Sequence, residues 1–382
     1  MKRYKVALIH NIISPYRVPF FEKLANHPFI DLSVYFCAKT HKHRMWDIQQ
    51  SNKYKYKILS GVTLEFAGIQ YHINPSIILK LIGGDYDIII INGAMNFTMQ
   101  ISFIISRLLK IPIILWSEGI ESSQSLVRKI IDPIIKYVIR KVDAIVVPGT
   151  KSRDFHITQG ANPRKIFIAP NIIDNEFFIK QSAKFRKDRK KIKKNLAIQN
   201  KKIILYVGQL IKRKGVKYLI DAYEKLKKDK KDICLIIVGD GPEKNELEQR
   251  SKRTEDIYFM GWVSEEEKIK YYSISDLFIL PTLQDVWGLV INEAMCLGLP
   301  VISTYTAGAS FDLIMQGKNG FVVEEANTEQ LHLAMKKILS DEKLAKRMGK
   351  KSLEIIKNKF TIDNMVEGFV KAIEYAKHKQ VK

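Results

Sequence analysis

Cysteine is scarce in this chain. Cys37, Cys234 and Cys296 are the only three in 382 residues, and no two form a CxxC pair. An odd, scattered set argues against a disulfide framework or a zinc knuckle and fits a reducing compartment. Long apolar runs are missing as well. The best window, Met99 to Trp116, is broken by Arg107 and Lys110, so no spanning helix is expected. The opening MKRYKVALIHNIISPYR has too short an apolar run before Pro15 to read as a signal peptide, and a cytoplasmic protein is expected. Acid is in deficit: 40 Asp and Glu face 63 Lys and Arg, a formal net charge of +23. Such a charge has three readings: a lysine-rich solvated surface, an anionic membrane surface on the inner face of the plasma membrane, or nucleic acid. The solvated surface is the default, the membrane comes next, and no nucleic-acid partner is expected. Charge alone says nothing about fold.

What the chain does have is rhythm. Short Ile- and Val-rich runs without alternation, the mark of strands buried on both faces of a parallel sheet, take turns with helical spacing. Lys5–His10, Asp31–Cys37, Asp87–Asn92, Ile113–Ser117 and Ala144–Pro148 read as strands. The rhythm stops near Asn171. The lysine- and arginine-rich residues 180–202 read as an exposed connector and a polar helix. Strands then resume at Ile203–Gly208, Ile233–Gly239, Ile257–Met260, Leu277–Pro281 and Val301–Thr304, and the chain is helical from Leu331 onward. The length suits two domains. The expected organisation is residues 1–175, residues 176–360, and a last helix in 361–382 that returns to the first domain. Two doubly wound α/β domains bind ligands at the carboxyl ends of their strands, in the cleft that they face.

Three constellations carry chemistry. In YVGQLIKRKGVKYLIDAYEKL a strand ends at Gly208, and Lys212, Arg213 and Lys214 precede Gly215, which opens a helix. Free N–H groups and a positive dipole end suit an anion there, and the cations add charge-assisted hydrogen bonds to a diphosphate. In LPTLQDVWGLVINEAMCLGLPVIST the strand ends at Pro281, Gly288 and Leu289 start a helix, and Asp285 and Glu293 stand eight positions apart. Two carboxylates near such a helix start suit the hydroxyls of a sugar and a ribose. In LIIVGDGPEKNEL, Gly239 and Gly241 allow close backbone approach at a strand end and Pro242 suits a helix start. Read singly, each also fits a plain surface turn, a capping acid or a glycine-rich strand end.

Taken in order, these segments resemble the retaining family 4 (group 1) glycosyltransferases of the GT-B fold. The family pattern VG-(R/Q)-L…(R/K)-KG, VGDGP, GWV and (E/D)-x-(F/W)-G-L-V-x-x-E-A-M-A-x-G-x-P-V-I is met at Gly208, Arg213–Lys214, Gly239–Pro242, Gly261–Val263 and Asp285–Ile302. A weaker match spans Val146 to Phe178, and ISPYRVPFF fits a subset of the family. The resemblance implies two Rossmann-like domains and an enzyme that moves a sugar, with retention, from a nucleoside-diphosphate-sugar to an acceptor hydroxyl in glycan, polysaccharide or glycolipid assembly. It implies that Arg213 and Lys214 hold the diphosphate and that the backbone at Gly288 and Leu289 meets the phosphates. Glu293 takes the ribose hydroxyls, Asp285 the transferred sugar, and Trp262 and Val263 border the base. No cofactor and no metal are implied.

Three departures qualify the match. Asp285 is one methylene shorter than the common glutamate, Gln209 removes a cation, and LWSEG puts Glu118 beside Gly119 where members often have a histidine. Glu118 is therefore a candidate active-site acid by position only. Asp85 and Asp87 form a DxD, but they lead into the apolar run DIIIIN and read as a strand entry rather than a metal site. His41 and His43 lack a third ligand, and His10 reads as a core or loop histidine. The acceptor, a saccharide or a lipid-linked one, is expected on the N-terminal side. There QSLVRKIIDPIIKYVIRKV, residues 124–142, mixes apolar and basic residues as a membrane-surface helix would, or as a core-facing helix with a basic outer face. An epimerase or hydrolase of the same fold, and a basic binding protein, are the rival readings.

Overall fold

The computed structural model describes residues 3–40, 51–66, 69–120 and 126–378. His41 and His43 lie outside them. The chain divides into two units, Met1–Asn171 with Ile362–Lys382, and Ile172–Thr361.

The first unit is built on seven parallel strands. They are β1 (Tyr4–Ile12), β2 (Ile30–Ala38), β3 (Lys55–Ile58), β6 (Ile88–Asn92), β7 (Ile113–Trp116), β8 (Ala144–Val147) and β9 (Ile166–Ile168). A small antiparallel hairpin, β4 (Val62–Phe66) and β5 (Ile69–Ile73), stands apart from the sheet. The sheet order is β3-β2-β1-β6-β7-β8-β9, so strand order reverses between β1 and β6. Central runs such as Ile88–Ile91 are wholly buried, because helices cover both faces and every side chain of the strand meets another element. The helix Ile362–His378 belongs to this unit: Phe369 packs on Phe20 at 4.7 Å and on Trp116 at 5.0 Å between ring centres.

The second unit has six parallel strands: β10 (Lys202–Val207), β11 (Ile233–Val238), β12 (Ile257–Gly261), β13 (Leu277–Leu280), β14 (Val301–Thr304) and β15 (Gly320–Val323). Their order, β12-β11-β10-β13-β14-β15, is the doubly wound order in which two βαβ halves diverge from a central pair. Residues 180–202 are more ordered than a connector. Helix Asn175–Lys187, capped by Asp174, buries Phe178 and Ser182, and helix Arg189–Asn195 follows. Arg189 pairs with Asp276 at 2.7 Å and Lys193 donates to the Lys201 carbonyl at 2.6 Å. The basic run is thus anchored to its own unit.

Two sequence features have structural roles. Asp87 accepts the Lys5 amide at 3.0 Å and pairs with Lys377 at 3.0 Å, while Asp85 pairs with Lys5. The DxD ties the sheet's entry edge together. His10 is buried, and its Nδ1 meets the Ile12 carbonyl at 3.0 Å. Burial, reinforced by Arg17, pushes its pKa down to about 3, so the ring is neutral.

Candidate active site

In the second unit the strand-order reversal falls between β10 and β13. That is where an open α/β sheet leaves a crevice at its carboxyl edge. The loops after these two strands carry the basic residues Lys212–Lys214 and the acid Asp285. After β10 the chain passes Gly208, makes a single tight turn at Lys212–Lys214, and enters helix Val216–Asp229. Gly215 makes this entry at φ 64°, and a Cβ there would stand 2.3 Å from the Pro281 carbonyl oxygen. Only glycine lets the helix start lie this close to the neighbouring loop. After β13, the loop from Pro281 to Gly288 leads into helix Leu289–Cys296. Arg213 stitches the two loops. Its carbonyl accepts the Leu283 amide at 2.8 Å and the Thr282 hydroxyl at 2.9 Å, and its guanidinium donates to the Gln284 carbonyl at 2.9 Å.

The stitching brings Lys214 and Asp285 into direct contact, with both side chains largely buried, and leaves the Arg213 guanidinium 4.0 Å from the same carboxylate. Asp285 is fixed from behind as well: its amide and carbonyl bond to Thr306 and Gly308. Both helices present amides without intrahelical partners at their first turns, beside these cations. Trp287 is buried and donates from Nε1 to Asn292 at 2.9 Å, which orders the chain where the second helix begins. The β11 end closes on the same crevice. A Cβ at Gly239 would fall 1.9 Å from the Gly208 carbonyl oxygen, so the two strand ends touch backbone to backbone.

Glu293 lies one turn into helix Leu289–Cys296 and is only 7% exposed. Its Oε1 accepts from Lys268 at 2.8 Å and its Oε2 from the Tyr272 hydroxyl at 2.9 Å. Burial pushes its carboxyl above the usual range, and Lys268 opposes that. Lys268 and Tyr272 are one turn apart on helix Glu265–Ile274, so one face of that helix holds both carboxylate oxygens. Neither residue stood out in the sequence. A Lys-x-x-x-Tyr spacing on a predicted helix was the available signal, but nothing local paired it with an acid further along the chain. Trp262, 60% exposed, and half-buried Val263 follow β12, two strands from the reversal.

Residues 188–354 match the family model "Glycosyl transferases group 1", which spans the whole crevice from Gly208 to Glu293. That segment of the chain is similar to the group 1 glycosyl transferases. Among curated relatives of this chain is the alpha-D-kanosaminyltransferase of Streptomyces kanamyceticus, 26% identical over 276 residues, covering 68% of this chain and 69% of that one. The capsular polysaccharide biosynthesis glycosyltransferase CapM of Staphylococcus aureus is 26% identical over 207 residues, covering 51% of this chain and 54% of that one. The alignments thus span 54% and 69% of these two relatives. Among solved structures, Anabaena Alr3699/HepE in complex with UDP superposes with a TM-score of 0.76 at 17% identity, over 97% of this chain and 99% of that one. That likeness covers both units and gives the chain the GT-B fold.

Glu118 sits in the first unit, just past β7, in a setting that the sequence did not reveal. Its Oε1 accepts from the Arg17 guanidinium and from Asn171 Nδ2 at 3.1 Å. Arg17 is buried, bonds to Asn171 Oδ1 at 2.8 Å, and lies over the Trp116 ring at 4.7 Å. It comes from the ISPYR segment, whose arginine carried no assigned role. At this unit's own reversal point, Asn96 donates to Asn11 Oδ1 at 2.9 Å, with Asn92 beside them. These asparagines, too, were missed; single Asn residues after buried strands give no sequence signal.

Proposed function

We propose that this chain is a glycosyltransferase whose sugar transfer starts from a nucleoside-diphosphate-sugar seated in the β10/β13 crevice, and proceeds with retention and without a metal. The juxtaposition of Lys214 with Asp285 between two helix starts carries the reading. In the free protein the lysine is paired with the aspartate. A donor would place its diphosphate against Lys214, Arg213 and the amides at Gly288 and Leu289, and turn Asp285 toward the sugar hydroxyls.

The difficult step is departure of the diphosphate as positive charge builds on the sugar. Preorganised cations and helix-start amides stabilise the leaving charge most where water is excluded. They would do here what a divalent ion does elsewhere. Glu293, held by Lys268 and Tyr272, keeps lone pairs for the ribose hydroxyls, and Trp262 and Val263 border the base. Among the first unit's residues, Glu118 and the asparagine cluster offer polar groups to an acceptor hydroxyl. HepE was solved with UDP-glucose, which makes uridine diphosphate and its sugars the first donors to try. Kanosaminyl transfer and capsule assembly in the relatives point to glycan assembly as the setting.

A thermal-shift screen of nucleoside diphosphates and their sugars tests the reading, since a bound donor raises the melting temperature by mass action. No shift with any of them, in a protein that melts cooperatively, would refute it.

A further inference from the structure

Three helices of the first unit, Ile77–Ile82, Phe97–Leu108 and Leu126–Lys141, cover one face of its sheet. Ile77, Leu81, Phe103, Ile105, Val138 and Ile139 from these helices join the strand residues Ile9, Ile91 and Leu115 in one buried cluster. The first helix packs on the second, and Phe103 of the second meets Tyr137 of the third edge-on at 6.1 Å. The outward sides of the three helices therefore lie on the same side of the sheet.

That side is apolar where a water-facing helix is normally polar. Leu79 and Leu108 are each 76% exposed, and Ile82, Ile104, Ile134 and Tyr137 are exposed with them. A patch of this kind on a soluble protein marks an interaction site. Its charges are nearly all of one sign. Lys80, Arg107, Lys110, Lys136 and Arg140 flank the apolar residues, and residues 77–82 and 97–110 contain no acid at all. The acids that border it are Asp132, on the third helix, and Asp143, which pairs with Arg107 at 3.3 Å.

We infer that this three-helix face docks on an anionic lipid bilayer. Outward leucines and isoleucines ringed by lysine and arginine match a surface with hydrocarbon beneath negative headgroups. A second copy of the same face would bring like charge against like. A nucleic acid would use the cations but leave the leucines in water. No helix among the described residues is long and apolar enough to cross a membrane, so the contact lies along the bilayer surface. This inference goes beyond the donor site and stands or falls separately from it.

The test is co-sedimentation of the full chain with vesicles of phosphatidylcholine alone and of equal parts phosphatidylcholine and phosphatidylglycerol. Binding to the anionic vesicles should be tighter by at least about tenfold and weaken with salt. Leu79→Ser with Leu108→Ser should lower binding at all salt concentrations, and Lys110→Glu with Lys136→Glu should lower the salt-sensitive part. Both pairs should leave the melting temperature and nucleoside-diphosphate affinity, measured without vesicles, as in the parent. Equal binding to the two vesicle types, unchanged binding by both variants, or a dimer that Leu79→Ser with Leu108→Ser dissolves would overturn the inference. So would tight RNA binding with indifference to vesicles. Failure of the donor site would appear instead as absent nucleotide affinity in the parent.

Discussion

Replacing Lys268 by methionine keeps most of the side-chain volume and removes the only cation bonded to Glu293 among the described residues. The carboxylate is buried, so the variant has two options. It can keep Glu293 ionised and unpaired, which costs about 3–5 kcal/mol in a site of this kind. Or Glu293 can take up a proton, at about 1.4 kcal/mol for each unit by which the pH exceeds the carboxyl's ordinary pKa. The protein adopts the cheaper one. In the parent, burial already pushes the Glu293 carboxyl up while Lys268 pulls it down and Glu265 pushes it up again. Without Lys268 the pKa must climb further. Loss of the Lys268–Glu265 contact at 2.9 Å adds little, because Glu265 is half exposed.

The sign follows. The folded variant holds a proton that the unfolded chain sheds above about pH 4.3. Its stability is therefore fully present below that pH and falls as pH rises toward the folded-state pKa, by at most about 1.4 kcal/mol per unit. Urea unfolding of parent and Lys268→Met between about pH 5 and pH 8 should show a small gap at the acid end that widens steadily. Nucleotide affinity should run the other way. A protonated Glu293 is a poorer acceptor for ribose hydroxyls, so calorimetry should show the variant's affinity recovering as pH rises while its stability declines. Lys268→Arg should restore both. A gap in stability that is the same at every pH would refute the reasoning, since a merely packed lysine has no proton linkage to Glu293.

Lys214→Ala should weaken nucleoside-diphosphate binding by about 1.5–3 kcal/mol, the scale of a hydrogen bond to a charged group; calorimetry showing unchanged affinity would remove the phosphate site proposed here. Gly239→Ala forces a methyl into the Gly208 carbonyl and should cost about 1–3 kcal/mol of stability, read as a lowered melting temperature, with nucleotide affinity lowered as the crevice opens. Glu118→Ala strands the buried Arg17 cation and should cost several kcal/mol, on the order of 3–5, whereas Arg17→Met leaves a partly solvated carboxylate and should cost clearly less; equal losses in denaturant unfolding would show that the pair is not asymmetric.

Much of the candidate crevice was legible in the sequence, because its signals are local. Buried parallel strands announce themselves as unbroken Ile and Val runs, and the Arg213–Lys214–Gly215 loop and the Asp285-to-Glu293 spacing are read within one βα unit each. What the sequence lacked was distance. Lys268 and Tyr272 reach Glu293 across 25 and 21 positions, and Arg17 reaches Glu118 across 101. Such pairings depend on strand order, which no local window contains. The basic run at 180–202 forms the polar, largely exposed helix that was expected, but what anchors it was hidden for a related reason. Lysine-rich composition reads as solvated chain, yet the partners that hold it, Asp276 and the Leu297 carbonyl, lie far downstream.

Those distant pairings share a construction. Each of the three acids is gripped by a cation from another element, supported by a neutral group: Glu293 by Lys268 and Tyr272, Glu118 by Arg17 and Asn171, and Asp285 by Lys214 with backbone bonds to Thr306 and Gly308. A buried ion pair adds little net stability over a well-packed apolar pair. A core chosen for stability alone would gain by replacing all three. What the pairs provide is orientation: the carboxylate is held fixed while some of its lone pairs remain available to hydroxyls. At Asp285 the arrangement goes one step further, because its lysine partner is also the cation proposed to meet the diphosphate. A ligand that draws Lys214 away must itself compensate the aspartate, and a sugar hydroxyl linked to that diphosphate is suited to do so. Diphosphate and sugar should therefore bind cooperatively through this one pair. The sugar nucleotide should gain more affinity over the bare diphosphate in the parent than in Asp285→Asn, and equal gains would break the link.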